Sequence, residues 1–401
     1  MNIILHKMKK NCLLVFACPH VYSWEKDVIK KFEIIYNVEY LFADQIFYKG
    51  GSFQLIKIIN EIIFLKNIEI VVFDTDFLPF IDSNVIQMTN SKTYKILLTF
   101  DNIVHGNLNL INGSKCNLVI AYDPLEVLIF RKYNISSHFF TLEDTKNSFK
   151  YLNLEKEIDV LFYGDITKFG RKLFIDQLLK SGINIKVVGP PNNIVTDDEI
   201  IKLINRSKIV LNLSFSNSFR DYDSFFPKSD NEINASLLTF KGRFLQAGLC
   251  KTVCISDYAP SIGLIFSQEE IPTFSNLDEC IILINKIIHN DELRFSLENN
   301  LHNKVLSEFD DIKMMNNISN YINQHLDDDS IRNFSVNKYY KKYITRFKIW
   351  NIFFKPLLLV KEIYYLLKNN LFYFSIDSIK HYLITSAIIF KNKFINTSRN
   401  N

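Results

Sequence analysis

Along this chain, short apolar runs alternate with stretches whose apolar positions recur every three to four residues. That is the pattern of buried strands and amphipathic helices taken in turn. In the first part, strands are predicted at 11–17, 38–43, 68–74, 95–101, 116–123 and 138–142. Helical patterns at 24–35, 53–66 and 124–133 lie between them. The last opens on Pro124, whose fixed φ suits a first helical turn. Several strand ends carry a carboxylate: Asp74, Asp101 and Asp123. Alternation of this kind specifies a parallel sheet covered by helices on both faces.

Residues 143–157 are polar and without apolar period, which marks a connection between two domains. The alternation then restarts, with strands at 158–164, 183–189 and 209–214 and helices at 170–181 and 197–208. Residues 215–236 break the pattern and read as a long loop near a cleft. A strand at 252–256 follows, then Ser275-Asn276-Leu277-Asp278 as a capping signal for a helix reaching about 289. Leu293, Leu297, Leu301, Val305 and Phe309 form one apolar stripe on a further helix, a core face. The predicted fold class is therefore α/β. Two Rossmann-like, doubly wound domains at 1–150 and 151–330 face a cleft, and a helical, basic and aromatic tail occupies 331–401.

Composition supports two folded cores: 401 residues, 48% hydrophobic and 22% charged. The net charge of +4 is unevenly placed. From residue 331 onward there are 13 Lys and Arg against Glu362 and Asp377, whereas the first 330 residues hold 34 against 41. The six cysteines form no CxxC pair and sit mostly in apolar runs, as reduced core residues do. Cys250 and Cys254 lie one turn apart, but no His or further Cys stands near them, so no metal is expected there. The basic N-terminus has only a short apolar run before Pro19-His20, which reads as a strand and not a signal peptide, and a cytoplasmic location is expected. Neither a G-x-x-x-x-G-K-[ST] nor a G-x-G-x-x-G motif occurs, which removes support for ATPase and dehydrogenase readings. The basic residues follow no nucleic-acid motif, and no cofactor is implied by any motif.

The most informative stretch is 241–258. Lys241-Gly242-Arg243 opens a short amphipathic run, a buried strand follows, and Asp257 and Tyr258 stand at that strand's C-terminal end. In open parallel sheets, ligands bind at that edge. A cationic pair beside it suits an anionic ligand such as a nucleotide diphosphate.

An ordered series of segments resembles the C-terminal domain of GT-B glycosyltransferases, and among them the spore-maturation CgeB-type branch and the related group 1 transferases. The series comprises Asp159-Val160-Leu161-Phe162-Tyr163-Gly164, then Ser207-Lys208-Ile209-Val210-Leu211-Asn212-Leu213-Ser214, then Lys241-Gly242-Arg243-Phe244-Leu245-Gln246-Ala247-Gly248-Leu249-Cys250. Ile255-Ser256-Asp257-Tyr258-Ala259-Pro260 and Asp291-Glu292-Leu293-Arg294 complete it. The resemblance implies transfer of a sugar from a nucleotide-diphosphate donor, held mainly by the second domain, to an acceptor held mainly by the first. Arg243 and Lys241 are the first candidates for stabilising the leaving diphosphate, with Gly164, Lys168 and Arg171 at the end of that domain's first strand. Gln246, Asp257 and Tyr258 complete the donor-binding set. One departure stands out: the family usually has Glu where this chain has Gln246, so a neutral amide replaces the carboxylate that accepts from the donor's ribose hydroxyls.

In the first domain, His20 follows a strand end, and Asp101 and His105 share a loop after another. If the reaction inverts configuration, one of His20, Asp101 or His105 serves as base; if it retains configuration, none is needed. Two rivals keep the fold: a non-catalytic GT-B module that binds a nucleotide sugar or a partner protein, and a nucleotide-sugar epimerase. The resemblance implies bacterial surface-polysaccharide synthesis with a glycan or lipid-linked acceptor. The tail around 347–361 reads as a basic amphipathic helix interrupted near Pro356, too rich in lysine to span a bilayer. It is expected to lie on an anionic membrane surface, peripheral on the inner face of the cell membrane, or else to pack on the enzyme or on a dimer partner.

Overall fold

The computed structural model describes residues 9–19, 25–75, 80–100, 106–142, 149–167, 170–191, 193–214, 240–325, 338–352 and 355–372. Among the described residues, six parallel strands form the first sheet: β1 (Asn11–Phe16), β2 (Asn37–Phe42), β3 (Ile70–Asp74), β4 (Tyr94–Thr99), β5 (Leu118–Ala121) and β6 (Ser137–Phe139). Their order is β2-β1-β3-β4-β5-β6. The second sheet holds β7 (Ile158–Tyr163), β8 (Ile185–Val188), β9 (Ser207–Asn212), β10 (Val253–Asp257) and β11 (Thr273–Phe274), in the order β11-β10-β9-β7-β8. Counted within its own sheet, each half begins with the same topology, second strand, first, third, fourth, fifth. Each therefore reverses its winding between its first and third strands, at β1/β3 and at β7/β9. That crevice is where open α/β sheets bind ligands.

Helices cover both faces. The first sheet carries α1 (Glu25–Glu33), α2 (Ala43–Leu65), α3 (Ser83–Met88), α4 (Gly106–Gly113) and α5 (Pro124–Lys132). The second carries α6 (Arg171–Lys180), α7 (Asp197–Asn205), α8 (Arg243–Leu249), α9 (Pro260–Gly263), α10 (Leu277–Ile288) and α11 (Asp291–Glu308). Because both faces are covered, β3, β4 and β5 are buried at every position and read as mostly apolar runs, broken by Lys95 within β4 and by Asp74 at the end of β3. Two local expectations shift. The helix predicted at 197–208 ends at Asn205, because Ser207 pairs with Ile158 and Ile209 with Val160, drawing 207 and 208 into the sheet. The cap of α10 is Asn276 with Glu279, each accepting from the other's side of the turn.

The chain then returns to the first domain. After α11 comes α12 (Asp311–Gln324), whose Met314, Met315, Ile318 and Ile322 pack with Phe32, Tyr36 and Phe140 of the first core. A buried ion pair, Lys31 Nζ to Asp311 Oδ1 at 2.8 Å, fixes that return. The second domain's own core thus ends with α11, and residues 311–324 belong to the first lobe instead of the 151–330 unit.

The tail also packs on the first lobe. Helices α13 (Lys338–Ile352) and α14 (Pro356–Lys368) are separated at the expected break, with Pro356 in the first turn. Tyr340, Ile344, Ile349, Ile352, Leu358 and Tyr365 are buried in the core that α2 shares. At its centre Lys348, wholly buried, reaches Asp82 Oδ2 at 2.5 Å, Ser52 Oγ at 2.6 Å and Glu362 Oε1 at 3.4 Å. Glu362 accepts from the Ser52 amide at 2.9 Å and hydroxyl at 2.6 Å. Asp82 accepts further from Tyr365 Oη and caps α3. Every charge in the cluster is partnered, so the cluster specifies one docking of α13 and α14. Of the tail expectations, packing on the enzyme is what α13 shows. No described helix is long and apolar enough to cross a membrane.

Replacing Lys348 with Met leaves Asp82 and Glu362 buried without their cation, at a cost of about 3–5 kcal/mol. Urea unfolding followed through the first lobe should show that loss. An unchanged midpoint would mean that α13 and α14 are a detachable appendage.

Candidate functional site

The second sheet's reversal point is built from strand ends whose sequence allows close approach. β7 ends at Tyr163 and passes into Gly164 at φ +135°; β8 ends at Val188 and passes into Gly189 at φ +122°. The Gly164 amide donates to Val188 O at 2.9 Å, and a Cβ on Gly189 would lie 2.6 Å from Gly164 O. Only glycine fits this backbone-to-backbone contact. Above Gly164 lies the guanidinium of Arg243, in the space a Cβ there would fill.

Arg243 is the first residue of α8, and its side chain joins the two strands that flank the reversal. Its Nε donates to Tyr163 O at 2.6 Å, at the end of β7, and Nη1 donates to Asn212 Oδ1 at 3.0 Å, at the end of β9. The cation also stands 5.5 Å from the Phe162 ring centroid and 5.4 Å from that of Tyr163. Three consecutive residues leaving β9 are each held by a polar partner. Asn212 meets Arg243; Leu213 O accepts from Arg171 Nη2 at 2.9 Å; the Ser214 amide donates to Asp257 Oδ1 at 2.7 Å. Arg171 also donates to Asp165 O at 3.1 Å and is buried, so its role here is to shape the two strand-end loops. Asp257 is buried too. Burial pushes its carboxyl above the ordinary carboxylate range, against the pull of hydrogen bonds from Ser214 and Ser256 and of the Arg171 charge.

Gln246 lies one turn beyond Arg243, and its Oε1 accepts from Tyr163 Oη at 2.7 Å. That bond uses one of the two lone pairs on the amide oxygen. Lys241 is half-buried just before α8, and Tyr258 is exposed, its amide held by Phe274 O at 2.8 Å. The structure thus brings Gly164, Arg243 and Gln246 together, with Arg171 and Asp257 supporting the loops around them. Lys168, His20, Asp101 and His105 lie outside the described residues.

Sequence reasoning did not single out Tyr163, Asn212 or Asp123 as functional. Tyr163 and Asn212 carry a signal in hindsight, each being the last residue of a strand at the reversal point. Asp123 ties the lobes together. It caps α5 through the Leu125 amide, accepts from the Phe240 amide at 2.9 Å, and accepts from Ser261 Oγ at 2.6 Å. Phe240 in turn packs against Tyr122 and Phe139 of the first lobe and Phe244 and Phe266 of the second. The residue that follows this joint is Lys241.

Comparison with known proteins bears on the fold. Residues 171–319 match the family model for glycosyl transferase-like proteins. Anabaena HepE, solved in complex with UDP and glucose, is similar in fold: TM-score 0.56 at 12% identity over 79% of this chain and 100% of that one. Sucrose-phosphate synthase from Thermosynechococcus elongatus gives 0.54 at 8% identity over 79% and 99%. A glycosyltransferase from Rickettsia africae gives 0.53 at 13% over 79% and 98%. The fold is that of GT-B glycosyltransferases, as expected from the motif series, and the matched domain supports a transferase enzyme. No curated protein matches the sequence.

Removing the carboxylate in Asp123→Ala strands the Phe240 amide and the Ser261 hydroxyl in a buried joint. A loss of about 2 kcal/mol or more is expected, with the two lobes unfolding as separate transitions in calorimetry. A single transition of wild-type midpoint would show that the joint does not depend on Asp123.

Proposed function

We propose that this protein transfers a sugar from a nucleoside-diphosphate donor, with Arg243 as the cation that faces the leaving diphosphate. The supporting observation is the seat of Arg243. It bridges Tyr163 O and Asn212 Oδ1 across the reversal point of the second sheet, so a fixed positive charge stands where α/β sheets take ligands. In such a transfer the glycosidic carbon–oxygen bond to the β-phosphate breaks, and negative charge builds on the departing diphosphate. A pre-positioned guanidinium stabilises that charge without reorganising at the moment of reaction. Lys241, two residues earlier, adds positive potential to the same approach. That a fold relative was solved with UDP and glucose supports a uridine nucleotide as the first donor to try.

In this reading Gln246 faces the donor's ribose. Its oxygen already accepts from Tyr163, so the amide has one lone pair and its NH₂ to offer a ribose, whereas a carboxylate would accept from both hydroxyls with charge assistance. The acceptor, a glycan or lipid-linked sugar, belongs to the first lobe. His20, Asp101 and His105 stay as candidate bases there, and Lys168 as a further phosphate cation. Placement in the CgeB-type branch rests on the 241–250 and 255–260 motifs, and a role in surface-polysaccharide synthesis at the inner face of the cell membrane follows from that placement. The Gln246 arrangement also favours a second reading, a module that binds nucleotide sugar without turning it over.

Calorimetric titration with UDP tests the proposal. Arg243→Ala should weaken binding by at least about tenfold, the weight of one charge-assisted hydrogen bond; equal affinity in the variant would overturn the assignment. Gln246→Glu should strengthen binding by about three- to tenfold if the ribose hydroxyls face it. Release of UDP from UDP-sugars by the wild-type chain separates the enzyme from the binding module, which would bind without release.

A further inference from the structure

The outer face of α14 carries an apolar stripe that the fold leaves uncovered. Leu357, Val360, Tyr364 and Leu367 recur at helical spacing, and all are exposed, from 83% at Leu357 to 57% at Leu367. The opposite face, with Leu358, Tyr365 and Leu366, is buried in the first lobe's core. Both faces of this helix are therefore apolar; the outer one stays exposed, its one ring contact being Tyr364 beside Phe53 at 6.1 Å among the described residues.

Charge says what chemistry suits the open face. Among the described residues of α13 and α14, the one carboxylate is Glu362, and it is turned inward onto Ser52 and Lys348. The outward surface is bordered by Lys361, which is exposed, and at the two ends by Lys355 and Lys368. Lys355 lies along Tyr48, donating to its carbonyl at 2.9 Å, and Lys368 lies over the Phe53 ring at 5.7 Å. Both ammonium groups are thus turned back toward α2, and Lys361 is the exposed cation beside the stripe. Four side chains on a single helix fall short of the roughly 800 Å² per partner that a stable protein interface buries. They suit a shallow insertion at a bilayer surface, where an apolar ridge enters the acyl boundary and cations pair with anionic headgroups. The buried Lys348 cluster anchors the helix, so the stripe is presented by a fixed scaffold and cannot fold back into the core.

We propose that the outer face of α14 docks this protein on an anionic lipid surface. The inference does not depend on the sugar-transfer reading, although it agrees with a lipid-linked acceptor. It moves the membrane contact from the 347–361 segment to α14 alone, since Ile349 and Ile352 of α13 are buried.

Co-sedimentation of the full chain with vesicles tests it. The chain should partition onto phosphatidylcholine vesicles containing phosphatidylglycerol and leave pure phosphatidylcholine in solution. Val360→Glu with Leu367→Glu, both at exposed positions, should cut partitioning by at least about tenfold, as expected for losing an inserted aliphatic side chain. Lys361→Glu should cut it by about fivefold or more, and high salt should reproduce that loss. UDP titration of the same variants should match the wild type, so that failure of lipid docking is distinguished from failure of donor binding. The proposal is overturned if anionic vesicles leave the chain in solution or if the double variant partitions like the wild type. It is also overturned if the double variant only converts a dimer to a monomer, since the stripe would then serve a second copy of the chain.

Discussion

The guanidinium of Arg243 sits where the two strands that begin and reverse the second sheet come apart, and it holds both. Without it, the carbonyl of Tyr163 and the side chain of Asn212 would need other donors at a partly buried sheet edge. With it, β7 and β9 end in one rigid frame, and a positive charge is fixed at their joint. The surrounding sequence makes room for this. Gly164 leaves the space that the guanidinium fills, and Gly189 lets the neighbouring loop close against Gly164. Arg171 and Asp257 hold the next two residues of the β9 exit, so the frame is shaped by buried charges that serve geometry first.

That frame is coupled to the other lobe through few residues. Asp123 reaches from the head of α5 to the Phe240 amide, and Phe240 immediately precedes the Lys241-Gly242-Arg243 run. Phe240 packs edge-to-face on Tyr122 and Phe139 in the joint, and the Lys31–Asp311 pair ties α12 to α1. A change in the angle between lobes therefore acts on Phe240, three residues before Arg243.

Much of the fold was legible because parallel sheets buried on both faces announce themselves as short, mostly apolar runs, as β3, β4, β9 and β10 do. The turn residues were equally plain: Gly164 and Gly189 at strand ends, Pro124 and Pro356 in first turns. What the pattern could not convey was destination. The stripe of Met314, Met315, Ile318 and Ile322 is an ordinary amphipathic helix in sequence, and nothing local says that it crosses back to the first lobe. The tail's lysines likewise read as solvent-facing, yet Lys348 is the centre of a buried cluster whose acids come from 266 residues upstream and 14 downstream. In the site, the basic run was visible because its chemistry is unusual beside a buried strand. Tyr163 and Asn212 were hidden because a strand-end tyrosine or asparagine is common, and only the three-dimensional meeting of β7 with β9 gives them a role.

Amide hydrogen exchange with and without UDP is the most direct measurement of whether this frame is a ligand site. Slowed exchange confined to residues 163–165, 212–214 and 243–246 is the result predicted, since those backbones surround the Arg243 bridge. Exchange unchanged there on addition of saturating nucleotide, or slowed only in the first lobe, would contradict it.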